Sequence, residues 1–152
     1  MTDRLNYLEL AGVLTLIVAG LHVGCILFGA EWYRFLGAGE AMAQMAEAGD
    51  SYPTKVTGII VSVLLVWSAY AFSGAGHILR LPLLRTGLTL ISLVLLARAL
   101  GFYFIMPAFP DNSLNFWLVS SALCFTLGLT YLLGLSQSWS RLSSRAKQSS
   151  ER

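Results

Sequence analysis

The stretch LLRTGLTLISLVLLARALGFYFI, residues Leu83–Ile105, decides the fold because it is almost entirely apolar and long enough to cross a bilayer. A helix rises about 1.5 Å per residue, so about 20 apolar residues span a hydrocarbon core of roughly 30 Å. Arg98 interrupts the second half of the stretch. An arginine at the centre of a membrane costs about 2.5–3.5 kcal/mol on insertion scales, so its position needs a structural or functional reason.

The composition of the whole chain is also typical of a membrane protein. Its 152 residues are 56% hydrophobic and 12% charged, whereas an ordinary soluble domain carries about 25% charged residues. The formal net charge is only +2, and no basic patch with interleaved aromatic residues indicates a nucleic-acid partner. The length accommodates one compact set of membrane-spanning segments and no separate soluble domain.

Three further apolar segments complete a predicted all-α fold, which is an antiparallel bundle of four transmembrane helices in one domain. We predict these helices at about residues 8–30, 53–74, 82–105 and 113–135. The remaining residues, 136–152, are rich in Ser and basic side chains and have no apolar periodicity, which predicts a polar tail.

The long connection between the first two helices contains a predicted amphipathic helix at about residues 38–48. Glu40, Gln44 and Glu47 would share its polar face. Helices that bind anionic lipid surfaces usually carry Lys or Arg on that face, whereas this one carries Glu. We therefore interpret the segment as a lid across one mouth of the bundle rather than as a lipid-surface anchor.

The distribution of charge predicts the topology, because short loops that are rich in Lys and Arg stay in the cytoplasm. One side of the predicted bundle carries most of the basic residues: Arg4, Arg80, Arg85, Arg141, Arg145, Lys147 and Arg152. The other side carries five acidic and two basic residues: Glu31, Glu40, Glu47, Asp50, Asp111, Arg34 and Lys55. We therefore expect a bacterial inner-membrane protein with both termini in the cytoplasm and the lid outside.

Arg98 and His22 are the strongest candidate site residues, because they lie at similar depths below the outer ends of their helices. Seven or eight residues correspond to roughly 10–12 Å. With Tyr103 and the lid carboxylates of Glu31 and Glu40, they would form an outward pocket between the first and third helices for a lipid headgroup, quinone or small anion. In the structural alternative, Arg98 snorkels or pairs with an outer acid, and His22 is hydrogen-bonded between helices.

Small residues predict close helix packing, within the bundle or with a second copy or another membrane protein. In the first helix, Ala11, Thr15, Ala19 and His22 share one face. Three pairs of small residues are spaced four positions apart: Gly20 with Gly24, Cys124 with Gly128, and Thr130 with Gly134. The two cysteines, Cys25 and Cys124, lie at different predicted depths, so we expect no disulfide between them.

The sequence lacks the residues that haem binding, zinc binding and several kinds of catalysis require. The two histidines, His22 and His77, lie towards opposite faces of the membrane, so they cannot both ligate one haem. The sequence has no Cys or His pair at zinc spacing, and no HExxH, GxSxG or CxxC motif. We therefore predict no metal and no cofactor.

These observations favour a non-enzymatic accessory or lipid-binding protein. The alternative is a membrane enzyme that acts on a lipid or quinone, with His22 as acid or base and Arg98 as electrostatic stabiliser. A small oligomeric transporter is a third hypothesis, since four helices would need to assemble to enclose a path.

Two segments in the middle half of the chain resemble segments of known membrane proteins. They are YPTKVTGI at Tyr52–Ile59 and AYAFSGAGHILRLPLLRTGL at Ala69–Leu88. They resemble segments of small bacterial inner-membrane proteins with four predicted helices, and in layout the chain is similar to the DoxX-like proteins. The resemblance implies a fold and a compartment, and it implies no activity.

Overall fold

The structure is a computed structural model that describes the backbone of residues 5–150 and the side chains of residues 5–142. Within this part of the chain, all regular secondary structure is helical. The elements in chain order are α1 (Tyr7–Phe28), α2 (Ala30–Phe35), α3 (Glu40–Glu47), α4 (Tyr52–Ala75), α5 (Leu84–Leu100), α6 (Phe102–Ile105), a 3₁₀ helix (Met106–Ala108) and α7 (Leu114–Ser150).

Three of these helices, α1, α4 and α7, are long and apolar enough to cross a membrane. A fourth span results if α5 and the bent segment that follows it are counted together. The flanks of the long helices expose large apolar side chains such as Leu16, Ile59, Val66 and Leu93. Lipid tails are as apolar as these side chains, so the same exposure is acceptable inside a bilayer. The helices therefore indicate a membrane protein.

The long helices are packed side by side. The α1 helix packs mainly against α4 and also against α7, whereas α5 packs mainly against α7 and less against α4. Leu8, Leu88 and Tyr131 are fully buried at the centre of the shared apolar core. It follows that α1 and α5 lie against α4 and α7 rather than against each other.

Buried hydrogen bonds connect these helices in addition to the apolar contacts. The Tyr131 hydroxyl on α7 donates to the Trp67 carbonyl on α4 at 3.0 Å and lies 3.1 Å from the Thr15 hydroxyl on α1. The Ser92 hydroxyl on α5 donates to the Gly128 carbonyl on α7 at 2.9 Å. Because an unpaired polar group is costly in an apolar interior, these bonds restrict how the helices can slide against one another.

The two ends of the helix assembly differ in structure. At the end that we call the α3 end, α2 and α3 lie beside α1 and α4, and the hydroxyls of Tyr33 and Thr57 are 3.0 Å apart. At the opposite end, which we call the His77 end, His77 Nε2 lies 3.2 Å from Glu9 Oε2. There the Gln137 side chain also donates to the backbone carbonyl of residue 5 at 3.0 Å.

The small-residue face of α1 points into the assembly, as predicted. Ala11, Thr15 and Ala19 are at most 2% exposed. The predicted pair Gly20 and Gly24 differ in the space around them. A Cβ on Gly20 would meet no atom within 4 Å, whereas Gly24 lies against an aromatic ring of α2. Only part of the predicted small-residue surface is therefore used for packing within this chain.

Glycines end the first and third long helices earlier than the predicted boundaries. Gly29, at φ 71°, separates α1 from α2, so the first helix ends at Phe28 rather than at residue 30. Gly101 ends α5, and the chain then bends by 71° into α6 and the 3₁₀ helix. The predicted straight span at 82–105 is therefore a 17-residue helix followed by a segment at a steep angle.

The last helix extends beyond the predicted boundary at residue 135. Ser138 and Leu142 follow Leu135 at spacings of three and four, and all three side chains are at most 5% exposed. This periodicity keeps one face of α7 against the core as far as Leu142, and the helix continues to Ser150, within the segment predicted as a polar tail. Residues 151–152 of that tail lie outside the described residues.

Candidate functional site

The Arg98 side chain reaches from the last turn of α5 to α7. Its Nη1 donates to Ser121 Oγ at 3.3 Å, and its Nη2 donates to Ser120 Oγ at 3.2 Å. Its guanidinium carbon lies 4.8 Å from the centroid of the Trp117 ring. A cation in the last turn of a helix is favoured by the helix dipole. We call this group of four side chains the Arg98 site.

The positive charge of Arg98 is not neutralised by the side chains around it. Among the described residues, no carboxylate lies within 4.0 Å of its guanidinium nitrogens. A guanidinium carries five N–H donors, and the serine hydroxyls of the site accept only two hydrogen bonds from it. The half-buried Arg98 side chain therefore offers charge and unused donors to a negatively charged group.

A second donor in the site also lacks an acceptor. Trp117 is 2% exposed, and its Nε1–H has no hydrogen-bond partner within the part of the chain that the structure describes. Buried indole N–H groups usually find a partner, because an unsatisfied one costs about 1–3 kcal/mol. The Arg98 site thus combines an unneutralised cation with a buried donor that no described group satisfies.

Three phenylalanines surround the Trp117 ring, and we call them the aromatic wall. The ring centroids of Phe102, Phe109 and Phe116 lie 6.5, 6.3 and 5.5 Å from that of Trp117. Phe102 belongs to α6, so the bend at Gly101 is what brings its ring beside α7. Arg98 therefore contacts this aromatic group through Trp117, in addition to its hydrogen bonds with the two serine hydroxyls.

Three acidic residues of the α3 end gather around Arg34 instead of Arg98. Arg34 donates from Nε and Nη2 to the two carboxylate oxygens of Glu40 at 3.0 and 2.7 Å. Its Nη1 donates to Glu47 at 2.6 Å and to Glu31 at 3.1 Å. These hydrogen bonds lower the pKa of Glu40 and Glu47 and raise the pKa of Arg34. We call these four residues the Arg34 cluster.

The loop between α2 and α3 contacts the aromatic wall. A Cβ on Gly37 would lie 2.9 Å from Cδ2 of Phe116, and Gly39 lies directly against the side chain of Asn112. Gly37 and Gly39 have φ values of 73° and 95°, which an L side chain rarely adopts. The glycines thus allow α2 and α3, held together by the Arg34 cluster, to lie next to the Arg98 site.

The other predicted site residues lie elsewhere. His22 is half-buried, and its Nδ1 lies 2.8 Å from the Val18 carbonyl oxygen on the same helix. Tyr103, on α6, is 73% exposed and has an edge contact with the neighbouring Phe104. No hydrogen bond or ion pair between described residues joins His22 or Tyr103 to Arg98. The structure therefore brings Glu31 and Glu40 together, but it does not place them with Arg98.

The residues that contact Arg98 were not predicted. Trp117, Ser120, Ser121 and Cys124 recur at spacings of three and four along α7, which was the available signal. Among the described residues there is also no group of three or more His, Cys, Asp or Glu side chains that could hold a metal ion. Comparisons of the chain with protein-family models, curated proteins and solved structures found no match.

Proposed function

We propose that the chain is an antiparallel bundle of four membrane-spanning helices in a bacterial inner membrane, with the α3 end outside and both termini in the cytoplasm. Arg80, Arg85 and Arg141 support this orientation, because they lie at the His77 end and positively charged loops stay in the cytoplasm. The predicted contributions of Arg4, Arg145, Lys147 and Arg152 concern side chains outside the described residues. The similarity in layout to DoxX-like proteins stays a prediction.

Within this membrane protein, we propose that the Arg98 site binds the anionic headgroup of a phospholipid and that the role of the protein is non-enzymatic. The carrying observation is the unneutralised Arg98 guanidinium over the ring of Trp117, a residue whose own N–H has no partner among the described residues. A phosphate group can accept charge-assisted hydrogen bonds from the guanidinium and a further bond from the indole. The contacts of Arg98 with Ser120, Ser121 and Trp117 support a site between α5 and α7, whereas the predicted pocket lay between the first and third spans.

The position of the site along the membrane normal suits a headgroup. Arg98 lies three residues before Gly101, which corresponds to about 4.5 Å, so it is closer to the end of its helix than the predicted seven residues. Trp117 and the aromatic wall are of the residue types that concentrate at membrane interfaces. A lipid could therefore place its headgroup on Arg98 while its chains remain in the hydrocarbon.

The α2 and α3 helices would act as a lid on this site. Gly37 against Phe116 supports this role, because the loop between the two helices touches the aromatic wall. Opening would require α2 and α3 to move away from α7, and the Arg34 cluster would keep the two helices together as one unit. The small-residue surface near Gly20 leaves room for a second copy or a partner membrane protein, and that association stays a prediction.

The test is to measure the lipids that remain bound to the detergent-purified full chain by mass spectrometry. We expect the amount of anionic phospholipid retained by Arg98→Gln to fall at least tenfold, since charge-assisted hydrogen bonds contribute about 1.5–3 kcal/mol each. Arg98→Lys should retain an intermediate amount, because it keeps the charge without the planar donors. Lys55→Gln removes an exposed cation from the same end and should retain as much lipid as the wild-type protein.

Three results would contradict the proposal. Equal anionic lipid in Arg98→Gln and the wild-type protein would make Arg98 a structural residue. Loss of ligand in His22→Ala with retention in Arg98→Gln would favour the predicted pocket at α1. Retention of a quinone without phospholipid would show that the ligand is a quinone. It would favour the alternative of a membrane enzyme that acts on a quinone.

A further inference from the structure

A groove of about 370 Å³ lies between α5 and α7 at the His77 end. Its lining residues are Arg85, Thr86, Thr89, Leu90 and Trp139. The Arg85 guanidinium carbon lies 3.8 Å from the centroid of the Trp139 ring. The volume is within the range of about 300–1,000 Å³ that is typical of small-ligand sites. We call this feature the Arg85 groove.

The groove lies one membrane thickness away from the Arg98 site along α7. Trp117 and Trp139 are 22 positions apart in this helix, which corresponds to about 33 Å at 1.5 Å per residue. The hydrocarbon core of a bilayer is roughly 30 Å thick, and tryptophans concentrate at its two interfaces. Each of the two tryptophans has an arginine of α5 over its ring. Trp139 of the groove is therefore level with the headgroups of the leaflet opposite to the Arg98 site, and the Arg85 side chain, which starts about 20 Å from Arg98 along α5, reaches to the Trp139 ring.

The charges around the groove favour an anionic occupant. Arg80, Arg85 and Arg141 all lie at the His77 end, whereas Glu9 lies within ion-pair distance of His77. Among the described residues, no carboxylate lies within 4.0 Å of the Arg85 guanidinium. Basic pockets between membrane helices on the side rich in Lys and Arg are recognised binding places for acidic phospholipids.

We propose that the Arg85 groove binds an anionic phospholipid from the leaflet at the His77 end. Arg85 would bind the phosphate through charge-assisted hydrogen bonds, and the Trp139 ring beneath its guanidinium would hold the side chain in place. Leu90 lies farther along α5 towards the membrane centre and is 56% exposed, so it would contact an acyl chain. This binding site is separate from the Arg98 site and does not depend on it.

The test uses the full chain after removal of bound lipid, with native mass spectrometry of added phosphatidylglycerol or phosphatidylcholine. Variants are compared in the wild-type chain and in an Arg98→Gln background, so that binding at the Arg98 site cannot account for the difference. Arg85→Gln should lower the phosphatidylglycerol adducts several-fold, to about the level of phosphatidylcholine. The matched control Lys55→Gln removes an exposed cation at the other end and should leave the adducts unchanged.

A second variant tests the groove without removing charge. Thr86→Phe places a ring in the groove at an exposed position of α5 and should also lower the phosphatidylglycerol adducts. Thermal unfolding of each variant identifies any that fail to fold. The proposal is wrong if a folded Arg85→Gln or Thr86→Phe variant binds phosphatidylglycerol as the wild-type chain does. It is also wrong if phosphatidylcholine binds the wild-type chain equally well, or if inorganic phosphate displaces the lipid completely.

Discussion

The guanidinium carbon of Arg98 lies 4.8 Å from the centroid of the Trp117 ring, so a cation on α5 is held over an aromatic face on α7. A cation–π contact of this kind is worth about 0.5–2 kcal/mol, depending on how far the charge is desolvated. It orients the guanidinium but supplies no negative charge. The contact therefore explains how Arg98 is positioned, and it leaves unneutralised the charge that the proposed headgroup site requires.

Trp117→Phe should separate binding from folding, because it keeps an aromatic ring and removes the unsatisfied N–H. In the lipid-free protein, we expect the free energy of unfolding to change by less than about 1 kcal/mol, since loss of a buried donor without a partner offsets the loss of ring volume. Retained anionic lipid should fall about tenfold, as one hydrogen bond of about 1–1.5 kcal/mol predicts. Lipid mass spectrometry and thermal unfolding measure the two effects, with Trp67→Phe as control. Lipid retention at the wild-type level would show that the Trp117 N–H does not bind the lipid.

Tyr131→Phe should destabilise the assembly of α1, α4 and α7 without changing lipid retention. It removes the hydroxyl that bonds to the Trp67 carbonyl and lies beside Thr15. Hydrogen bonds between membrane helices contribute about 0.6 kcal/mol on average, so we expect a loss of about 0.5–1.5 kcal/mol. Denaturant unfolding in detergent measures the loss. A double-mutant cycle with Thr15→Val gives the interaction energy between the two hydroxyls. An unchanged free energy of unfolding would show that these bonds do not stabilise the fold.

A pair of glycine substitutions tests the helix packing. A Cβ on Gly134 would lie 2.7 Å from the backbone nitrogen of Leu8, so Gly134→Ala should cost about 1–3 kcal/mol through forced separation of α1 and α7. Gly20 has open space around it, so Gly20→Ala should stabilise the protein by about 0.5–1 kcal/mol through helix propensity. Thermal unfolding of the two variants measures both effects. Similar effects from the two substitutions would contradict the packing of α1 described above.

Some features of the fold could be predicted from the periodicity of the sequence, whereas the helix boundaries at Gly101 and after Leu135 could not. The inward face of α1 and the helix at Glu40–Glu47 coincide with patterns that repeat every three or four residues. The bend at Gly101 was missed, because the apolar run continues through it and a single glycine is tolerated within a helix. The extension of α7 was missed because Ser138 occupies a position on its buried face.

Of the predicted site residues, Arg98 is the one whose contacts form the Arg98 site, and ligand binding by His22, Glu31, Glu40 and Tyr103 stays a prediction. Depth along a helix follows from counting residues, and this arithmetic selected both Arg98 and His22. Rotation about the helix axis does not follow from counting, and it directs Arg98 towards α7. The spacing from Arg34 to Glu40 and Glu47 crosses a break between two helices, so helical periodicity could reveal only the Glu31–Arg34 pair of the Arg34 cluster.

The Arg34 cluster predicts that α2 and α3 loosen in acid. A carboxyl group whose pKa is lowered by folding contributes stability above its unfolded pKa of about 4.3 and loses that contribution as pH falls through its lowered pKa. The lowered pKa values of Glu40 and Glu47 therefore place the loss below about pH 4. We expect faster hydrogen exchange of the amides in α3 at that pH, after correction for the intrinsic exchange rate. In Arg34→Ala, exchange should already be fast at neutral pH, and slow exchange there would exclude a role for the cluster.

The ¹⁵N–¹H resonance of the Trp117 indole in nanodiscs reports directly on whether the Arg98 site binds an anionic headgroup. Phosphatidylglycerol is added to the protein in a bilayer that contains only phosphatidylcholine, and Trp117→Phe assigns the signal. If the Arg98 site binds an anionic headgroup, the indole N–H gains an acceptor, so its resonance moves downfield and its exchange with water slows. The same addition to Arg98→Gln should leave the resonance in place. An indole resonance of the wild-type protein that is unchanged by phosphatidylglycerol would contradict the account.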